Sequence, residues 1–375
     1  MSKASQEFIE KNKIPKLGFG CMRLPVDSDG QIDIEMFKQM VDEYIAAGFN
    51  YFDTAYMYHG GKSEGAVKEA VVKRYPRESF TLVDKLPIWS CETKEDVERV
   101  FNEQLEKCGV EYFDIYLLHA LNGELNDKHE RLGSYEFCER MKKEGKIKNF
   151  GFSFHGTTQD MHNIMQRHHE QFDVVQLQIN YFDWLRDYKD QYEIVASYNK
   201  PIVCMEPVRG GILARLPEKI ADILTQANPN ASHASWAVRW VGSMPEIITV
   251  LSGMSNMEQV HDNIKTCKDF NSLTKAEFEI TNKVAQELHS IPQVACTACN
   301  YCDICPEGIP IAEIFGIYNK FLADRGMLGF GMAYRKIEKS KNASACTSCG
   351  ACVEICPQNL NIPERMKEIA TLMDA

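Results

Sequence analysis

The chain has 375 residues, a mass of 42.8 kDa and a formal net charge of −11. Its 44% hydrophobic and 25% charged residues are ordinary globular values and exclude a disordered chain. An acidic surface repels nucleic acids and anionic membranes, and no apolar run approaches the roughly 20 residues of a membrane-spanning helix, so we expect neither partner. The first residues lack the apolar stretch of a secretory signal, and we expect a cytoplasmic protein.

Residues 1–290 alternate short apolar runs with longer amphipathic segments, as buried parallel strands alternate with helices. The predicted strands cover residues 16–22, 49–55, 80–86, 113–120, 149–155, 174–180, 201–208 and 246–253. The predicted helices cover residues 36–48, 63–75, 93–109, 134–146, 157–172, 187–200, 232–242 and 256–270. This strict alternation, at about 36 residues per unit, predicts an α/β fold of the (β/α)8 TIM-barrel class. An open doubly wound sheet is the alternative, but no G-x-G-x-x-G motif follows a predicted strand.

The end of the chain differs in its cysteine content. Eight of the 14 cysteines fall between Cys296 and Cys356, and in a cytoplasmic protein such density indicates metal ligands rather than disulfides. Residues 274–290 predict a helix leading out of the barrel, and residues 310–326 predict another between two cysteine motifs. We therefore expect a barrel over residues 1–290 and a small, mainly α-helical, metal-binding domain over residues 291–375.

Four polar residues stand where predicted strands end, which is where barrel enzymes carry their catalytic groups. Asp53 ends the second strand, Lys85 the third and His119 the fourth. Tyr58 follows in the loop after Asp53. A tyrosine is a poor acid at neutral pH, but a nearby ammonium favours its phenolate, so this set could protonate a carbonyl oxygen as hydride reaches its carbon. Taken singly, Asp53 and Lys85 could form only a salt bridge, and a lone histidine or tyrosine is more often explained by packing. The catalytic interpretation depends on all four residues being in register.

The segments that carry these residues resemble three signatures of the aldo-keto reductase superfamily. They are FDTAYMYHGGKSE (52–64), LVDKLP (82–87) and YFDIYLLHA (112–120), and their four polar residues match its catalytic tetrad. The resemblance extends over residues 15–270. It implies a (β/α)8 barrel that binds NADPH or NADH in extended form and acts on a small carbonyl or alcohol substrate.

The same resemblance implies coenzyme contacts along the later strands. Ser153 and Gln176 would bind the nicotinamide carboxamide. The loop after the seventh strand would contribute Glu206, Arg209, Gly210 and Gly211, and the region after the eighth strand would contribute Ser252, Gly253, Ser255, Gln259 and Asn263. Superfamily members selective for NADPH carry Lys and Arg where this chain has Gly253 and Gln259, so we expect at most a weak preference for NADPH over NADH.

Two cysteine motifs each end in Cys-Pro, and their spacing is typical of two [4Fe–4S] clusters. The first is Cys296-x2-Cys299-x2-Cys302-x2-Cys305-Pro306, and the second is Cys346-x2-Cys349-x2-Cys352-x3-Cys356-Pro357. In two-cluster ferredoxins each Cys-Pro thiolate binds the other motif's cluster. One cluster would then take Cys296, Cys299, Cys302 and Cys356, and the other Cys346, Cys349, Cys352 and Cys305. The first motif has only two residues before its last cysteine, which leaves this crossover open. Zinc is the alternative, but it needs neither the third cysteine nor the Cys-Pro.

The combination resembles a subgroup of aldo-keto reductases with a C-terminal ferredoxin-like domain. A hydride carries two electrons, whereas a cluster passes one, so the sequence leaves three interpretations open. The clusters could link a reductase to a ferredoxin or a flavoprotein, with a flavin as a further candidate cofactor. They could instead be structural or sense oxygen. Finally, the protein could be an electron-transfer or redox-sensing protein whose barrel binds a nicotinamide or flavin without turnover. The intact tetrad favours an iron–sulfur oxidoreductase with Tyr58 as its proton donor.

Overall fold

Eight parallel strands close into one barrel in a computed structural model that describes residues 1–324 and 326–374. Each strand pairs with its sequence neighbours, and β1 pairs with β8. The strands are β1 (Leu17–Gly20), β2 (Tyr51–Asp53), β3 (Thr81–Leu86), β4 (Phe113–Leu121), β5 (Ile147–Phe154), β6 (Val174–Gln178), β7 (Ile202–Met205) and β8 (Ile247–Ser252). The predicted (β/α)8 barrel is confirmed, and the open sheet is excluded.

Sixteen α-helices lie in the described part of the chain. They are α1 (Lys3–Asn12), α2 (Ile34–Ala46), α3 (Ser63–Val67), α4 (Lys94–Cys108), α5 (Gly123–Arg131), α6 (Ser134–Lys143), α7 (Thr158–His168), α8 (Lys189–Ser197), α9 (Glu218–Ala227), α10 (His233–Gly242), α11 (Met257–Lys268), α12 (Lys275–His289), α13 (Ile311–Asp324), α14 (Met327–Tyr334), α15 (Ala351–Glu354) and α16 (Ile362–Asp374). Every helix predicted in the barrel has a counterpart, whereas α1, α5, α9, α14, α15 and α16 have no predicted equivalent. No helix within residues 1–324 and 326–374 is long and apolar enough to cross a membrane.

Helix α1 packs against the interior of the barrel. Its Phe8 belongs to the same buried cluster as Val83, Leu117 and Val203 of the strands. Ser2 caps the helix, and both Ser2 and Ser5 donate hydrogen bonds to the carboxylate of Glu246, at 2.7 and 2.6 Å. Because barrel interiors are filled by side chains, α1 adds apolar packing that the strands alone do not supply.

The described chain forms two compact units. The first contains Met1–Val208 and Leu224–Thr281, and the second contains Arg209–Ile223 and Asn282–Ala375. The second unit has its own apolar core, in which Ile314, Phe315 and Met366 are fully buried. The segment that follows β7 therefore groups with the cysteine motifs, a grouping that the sequence-based boundary at residue 290 does not include. That boundary stays a prediction.

Candidate active site

Three of the four predicted catalytic residues lie on consecutive strands with a regular offset. Asp53 of β2 is paired with Val83 of β3, and Lys85 follows two residues later on the same face. Lys85 is paired with Leu117 of β4, and His119 follows two residues after it. Val83 and Leu117 belong to the apolar cluster inside the barrel. The three polar side chains are therefore on the inner face, at the carboxyl ends of their strands.

The ammonium group of Lys85 joins these residues to Tyr58. It donates hydrogen bonds to Oδ1 of Asp53 at 2.7 Å, to the carbonyl oxygen of Thr54 at 2.6 Å and to the hydroxyl of Tyr58 at 3.3 Å. An ammonium has three donors, so all three are used. Lys85 is fully buried, and Tyr58 is 8% exposed. The arrangement fixes the phenol oxygen beside a buried positive charge.

Burial and charge set the protonation states around this ammonium. Burial raises the pKa of Asp53 above its ordinary value, and the charge of Lys85 opposes that rise. Burial also lowers the pKa of His119 well below its ordinary value, and the Lys85 ammonium lowers it further. His119 is therefore neutral at physiological pH. Its ring meets Tyr58 edge-on at 6.0 Å and lies 5.0 Å from Trp89 between centroids.

The two residues predicted to hold a carboxamide are neighbours on adjacent strands. Ser153 of β5 is paired with Gln176 of β6, and both side chains are buried. The Ser153 hydroxyl oxygen accepts the amide hydrogen of Ala120 at 2.8 Å, which leaves its own proton to donate. Within the described chain, no donor reaches Oε1 of Gln176. A primary amide fits this pair, because its nitrogen could donate to Gln176 and its oxygen could accept from Ser153.

A cation that the sequence analysis did not name lies beside the loop after β8. The side chain of Arg23 comes within 3.2 Å of the position that a Cβ atom would take on Gly253, and its guanidinium is 3.5 Å from the carboxylate of Glu206. Ser255 donates a hydrogen bond to the carbonyl oxygen of Arg23 at 2.8 Å. Arg23 follows β1 at its carboxyl end, so the rule that selected the tetrad could have found it.

The remaining predicted coenzyme residues fall into two groups. Near α11, Asn263 donates to the hydroxyl of Ser252 at 2.8 Å, and the amide of Ser255 donates to the side chain of Gln259 at 2.7 Å. Ser252, Gly253 and Ser255 precede α11, Gln259 lies in its first turn and Asn263 in its middle. The start of a helix suits an anion. The second group, Arg209, Gly210 and Gly211, lies in the other compact unit with the cysteine motifs.

Two cavities in the second unit are each lined by four of the predicted cluster ligands. Cys296, Cys299, Cys302 and Cys356 line one of them, together with the apolar side chains of Ile311 and Phe315. The second is lined by Cys305, Cys346, Cys349 and Cys352. Each cavity thus combines three cysteines of one motif with the last cysteine of the other, as the crossover hypothesis requires. Thiolate donors in an apolar surrounding are the chemistry that holds iron–sulfur clusters, so these residues fit such a group.

Comparison with known proteins agrees with both parts of this description. The sequence profile of the aldo/keto reductase family matches residues 16–286, and that of the 4Fe-4S dicluster domain matches residues 295–361. An uncharacterized oxidoreductase of Bacillus subtilis, YqkF, is 23% identical over 283 residues, which are 67% of this chain and 87% of that protein.

Solved structures show the same fold. The holo form of aldo-keto reductase AKR11C1 from Bacillus halodurans is 24% identical with a TM-score of 0.57, over 72% of this chain and 91% of its own. An aldo/keto reductase from Klebsiella pneumoniae in complex with NADP and acetate is 22% identical with a TM-score of 0.60, over 72% and 92% of the two chains.

The chain belongs to the aldo/keto reductase family. The resemblance drawn from the sequence is thereby confirmed, and the protein is an oxidoreductase with a C-terminal 4Fe-4S domain. The dicluster match favours iron–sulfur over the zinc alternative at the cysteine motifs.

Proposed function

We propose that the barrel reduces a small carbonyl compound, or oxidises the corresponding alcohol, with Tyr58 as the proton donor or acceptor. The observation that carries this proposal is the hydrogen bond from the buried Lys85 ammonium to the Tyr58 hydroxyl, with Asp53 holding the same ammonium. A positive charge beside the phenol stabilises the phenolate that forms when Tyr58 gives up its proton.

The other residues of the site orient the reacting groups. Neutral His119 can donate a hydrogen bond to the substrate oxygen without competing with Tyr58 for its proton. Trp89, packed against His119, supplies an apolar wall beside that oxygen.

NADPH or NADH is the proposed coenzyme, which supplies or accepts the hydride when it is bound. Ser153 and Gln176 would orient its carboxamide. Arg23 and the amides at the start of α11 would bind its phosphates, with Glu206, Gly253, Ser255 and Gln259 around them. Ser252 and Asn263 are buried and hydrogen-bonded to one another, and they would stabilise the conformation of that loop.

Two [4Fe–4S] clusters are proposed for the two cysteine-lined cavities, where they would pass single electrons between the protein and an outside carrier. Apolar side chains line part of both cavities, and such a lining affects the reduction potential of a bound cluster. We also propose a bound flavin, which could convert single electrons to electron pairs. The outside carrier would be a ferredoxin or a flavoprotein. A cytoplasmic location also stays a proposal.

The test is chemical analysis of the whole protein prepared without oxygen. About eight iron and eight inorganic sulfide per chain are expected, together with saturable binding of NADPH or NADH and coenzyme-dependent reduction of simple aldehydes and ketones. Two zinc ions without sulfide would refute the cluster assignment. Coenzyme binding with no turnover on any carbonyl or alcohol would instead support an electron-transfer or sensing protein. Flavin released on denaturation would add the flavin to the cofactors.

A further inference from the structure

Helix α14 exposes an unusual amount of apolar surface. Met327, Leu328 and Met332 are 47%, 80% and 61% exposed, and they are three of the seven large apolar side chains that are exposed in the described chain. The same helix is firmly anchored, because its Phe330 and Tyr334 are buried in the core of the second unit. A cluster of exposed apolar side chains on an anchored helix indicates an interaction surface.

A basic segment follows this helix directly. Residues 335–341 (RKIEKSK) contain four cations, Arg335, Lys336, Lys339 and Lys341, and one anion, Glu338. All five charged side chains are exposed. Among the described residues, Lys341 forms an ion pair with Glu338 at 3.4 Å. In a chain whose net charge is −11, this is a local reversal of sign.

The basic segment adjoins the second cysteine-lined cavity. Cε of Lys341 lies 4.0 Å from the position that a Cβ atom would take on Gly308, whose amide donates to the carbonyl oxygen of Cys305 at 2.9 Å. On its other side the segment runs through a short turn into Cys346. Cys349, a third residue lining the cavity, is exposed. A partner bound at this segment would lie close to that cavity.

We propose that α14 and residues 335–341 form the docking face for a small, acidic, one-electron carrier protein. The inference rests on the proposed function, since it requires a cluster at Cys305, Cys346, Cys349 and Cys352. In the exchange, one electron leaves the reduced carrier, which is oxidised, and reduces that cluster, and no covalent bond forms or breaks. An exposed apolar helix followed directly by a cationic segment suits such a partner, because charge steers the encounter and the apolar contact holds it briefly.

Charge and size favour this occupant over two others. An anionic membrane would be repelled by the acidic remainder of the chain, whose net charge is −11. A second copy of the chain would bring another basic segment against this one if the contact were two-fold symmetric, because such interfaces pair identical patches. A small face is also what short-lived electron-transfer encounters use, below about 1,200 Å² of buried surface.

Binding of an oxidised plant-type [2Fe–2S] ferredoxin, an acidic carrier, is the first measurement. We expect calorimetric titration of the whole, cluster-containing protein to give a dissociation constant that rises steeply with salt. Lys339→Glu with Lys341→Glu should weaken binding by roughly tenfold or more at low salt. Lys320→Glu with Lys367→Glu, a matched charge reversal on α13 and α16 of the same unit, should leave binding unchanged. Leu328→Ser should weaken binding, whereas Leu185→Ser, on an equally exposed leucine of the barrel unit, should not.

The second measurement is the rate at which reduced ferredoxin reduces the clusters in a stopped-flow experiment. The Lys339→Glu, Lys341→Glu protein should lose at least tenfold in this rate. It should not lose rate with reduced methyl viologen, a small cationic donor that the new carboxylates do not repel. Equal ferredoxin rates in the charge-reversed and native proteins would overturn the proposal. The proposal would also be overturned if the whole protein bound phosphatidylserine vesicles through α14. A dimer of the native protein that Leu328→Ser dissociates would overturn it as well. Failure of the proposed function is distinguished separately, because it would appear as missing iron and sulfide in the native protein.

Discussion

Gly210 and Thr297 are packed so closely that no side chain fits on Gly210. A Cβ atom there would lie 2.1 Å from the carbonyl oxygen of Thr297, and Gly210 has a φ of 63°, which disfavours other residues. Thr297 lies between Cys296 and Cys299 of the first cysteine motif. The main chain of the segment after β7 thus approaches the main chain of this motif so closely that only glycine fits at position 210.

Replacing Gly210 with alanine should therefore disturb the first cysteine-lined cavity. The added methyl group cannot be accommodated without moving the backbone at Thr297, since the clash is with main-chain atoms. Fewer iron atoms per chain are expected in Gly210→Ala after anaerobic preparation, with a faster loss of iron in air. The matched control is Gly316→Ala in α13, where a methyl group meets nothing within 4 Å and should be neutral or slightly stabilising. Identical iron contents in the two variants would show that the contact does not support the cavity.

Replacing Tyr58 with phenylalanine should slow carbonyl reduction strongly while nicotinamide binding is retained. The hydroxyl that accepts the Lys85 hydrogen bond is lost and the ring remains, so the change removes the acid alone. A loss of roughly 10²–10⁴-fold in kcat is expected from the removal of a general acid. Lys85→Met should reduce kcat through the same step. A Tyr58→Phe enzyme with native kcat would end the assignment of Tyr58 as proton donor.

Two carboxyl groups, those of Asp84 and Glu64, are buried close to Lys85. Asp84 and Glu64 are both fully buried, and Lys107 approaches Glu64 at 3.5 Å. Burial raises the pKa of Asp84 well above its ordinary value, and the nearby Glu64 raises it further. Burial also raises the pKa of Glu64, which the charge of Lys107 opposes. The folded protein therefore holds a proton here at pH values where the unfolded chain has released it.

The barrel should accordingly become less stable as pH rises from the ordinary carboxyl pKa, near 4, through the raised value of Asp84. Each proton held only by the folded state gives a slope of up to about 1.4 kcal/mol per pH unit in that range. Asp84→Asn should flatten this slope, whereas Asp127→Asn at an exposed position should not. Urea unfolding followed by tryptophan fluorescence measures it, because Trp89, Trp184, Trp236 and Trp240 all lie in the barrel unit. An unchanged slope in Asp84→Asn would mean that Asp84 is ionised in the folded protein.

Arg23 should contribute to coenzyme affinity through phosphate. Its position beside Gly253 supplies a cation that the sequence comparison had not placed there. A charge-assisted contact of about 1.5–3 kcal/mol corresponds to a loss of roughly 10–150-fold in affinity when Arg23 is replaced by methionine. Equal losses for NADPH and NADH would place Arg23 at the pyrophosphate, and a loss confined to NADPH would place it at the 2′-phosphate. Arg140→Met, on the exposed face of α6, is the control, and no loss for either coenzyme would remove Arg23 from the site.

The sequence predicts the barrel well because buried parallel strands are apolar on both faces and are easily separated from amphipathic helices. It misses α5, whose residues GELNDKHER have almost no apolar positions, although Asn122 caps the helix through its side chain. It also misses the ion pair of Arg23 with Glu206 and the contact of Gly210 with Thr297. Both join residues far apart in the chain, and no local pattern encodes such a contact. By contrast, the pattern of two-cluster ferredoxins groups the eight cysteines as they line the two cavities, although the short spacing of the first motif left that grouping open.

A chain ending at Ser290 should show whether the segment after β7 depends on the cysteine motifs. Arg209 and Leu213 of this segment are fully buried, and the segment packs in the second compact unit. Truncation removes Thr297 and most of that unit, so Arg209 should become accessible and trypsin should cut the Arg209–Gly210 bond in the folded, truncated protein. The whole protein should resist cleavage at this bond, and iron removal by a chelator should increase cleavage if the cluster supports the segment. Mass spectrometry of the fragments identifies the bond, and the unchanged circular dichroism of the barrel is the control. Protection of Arg209 in the truncated chain would show instead that the segment holds its conformation without the cysteine motifs.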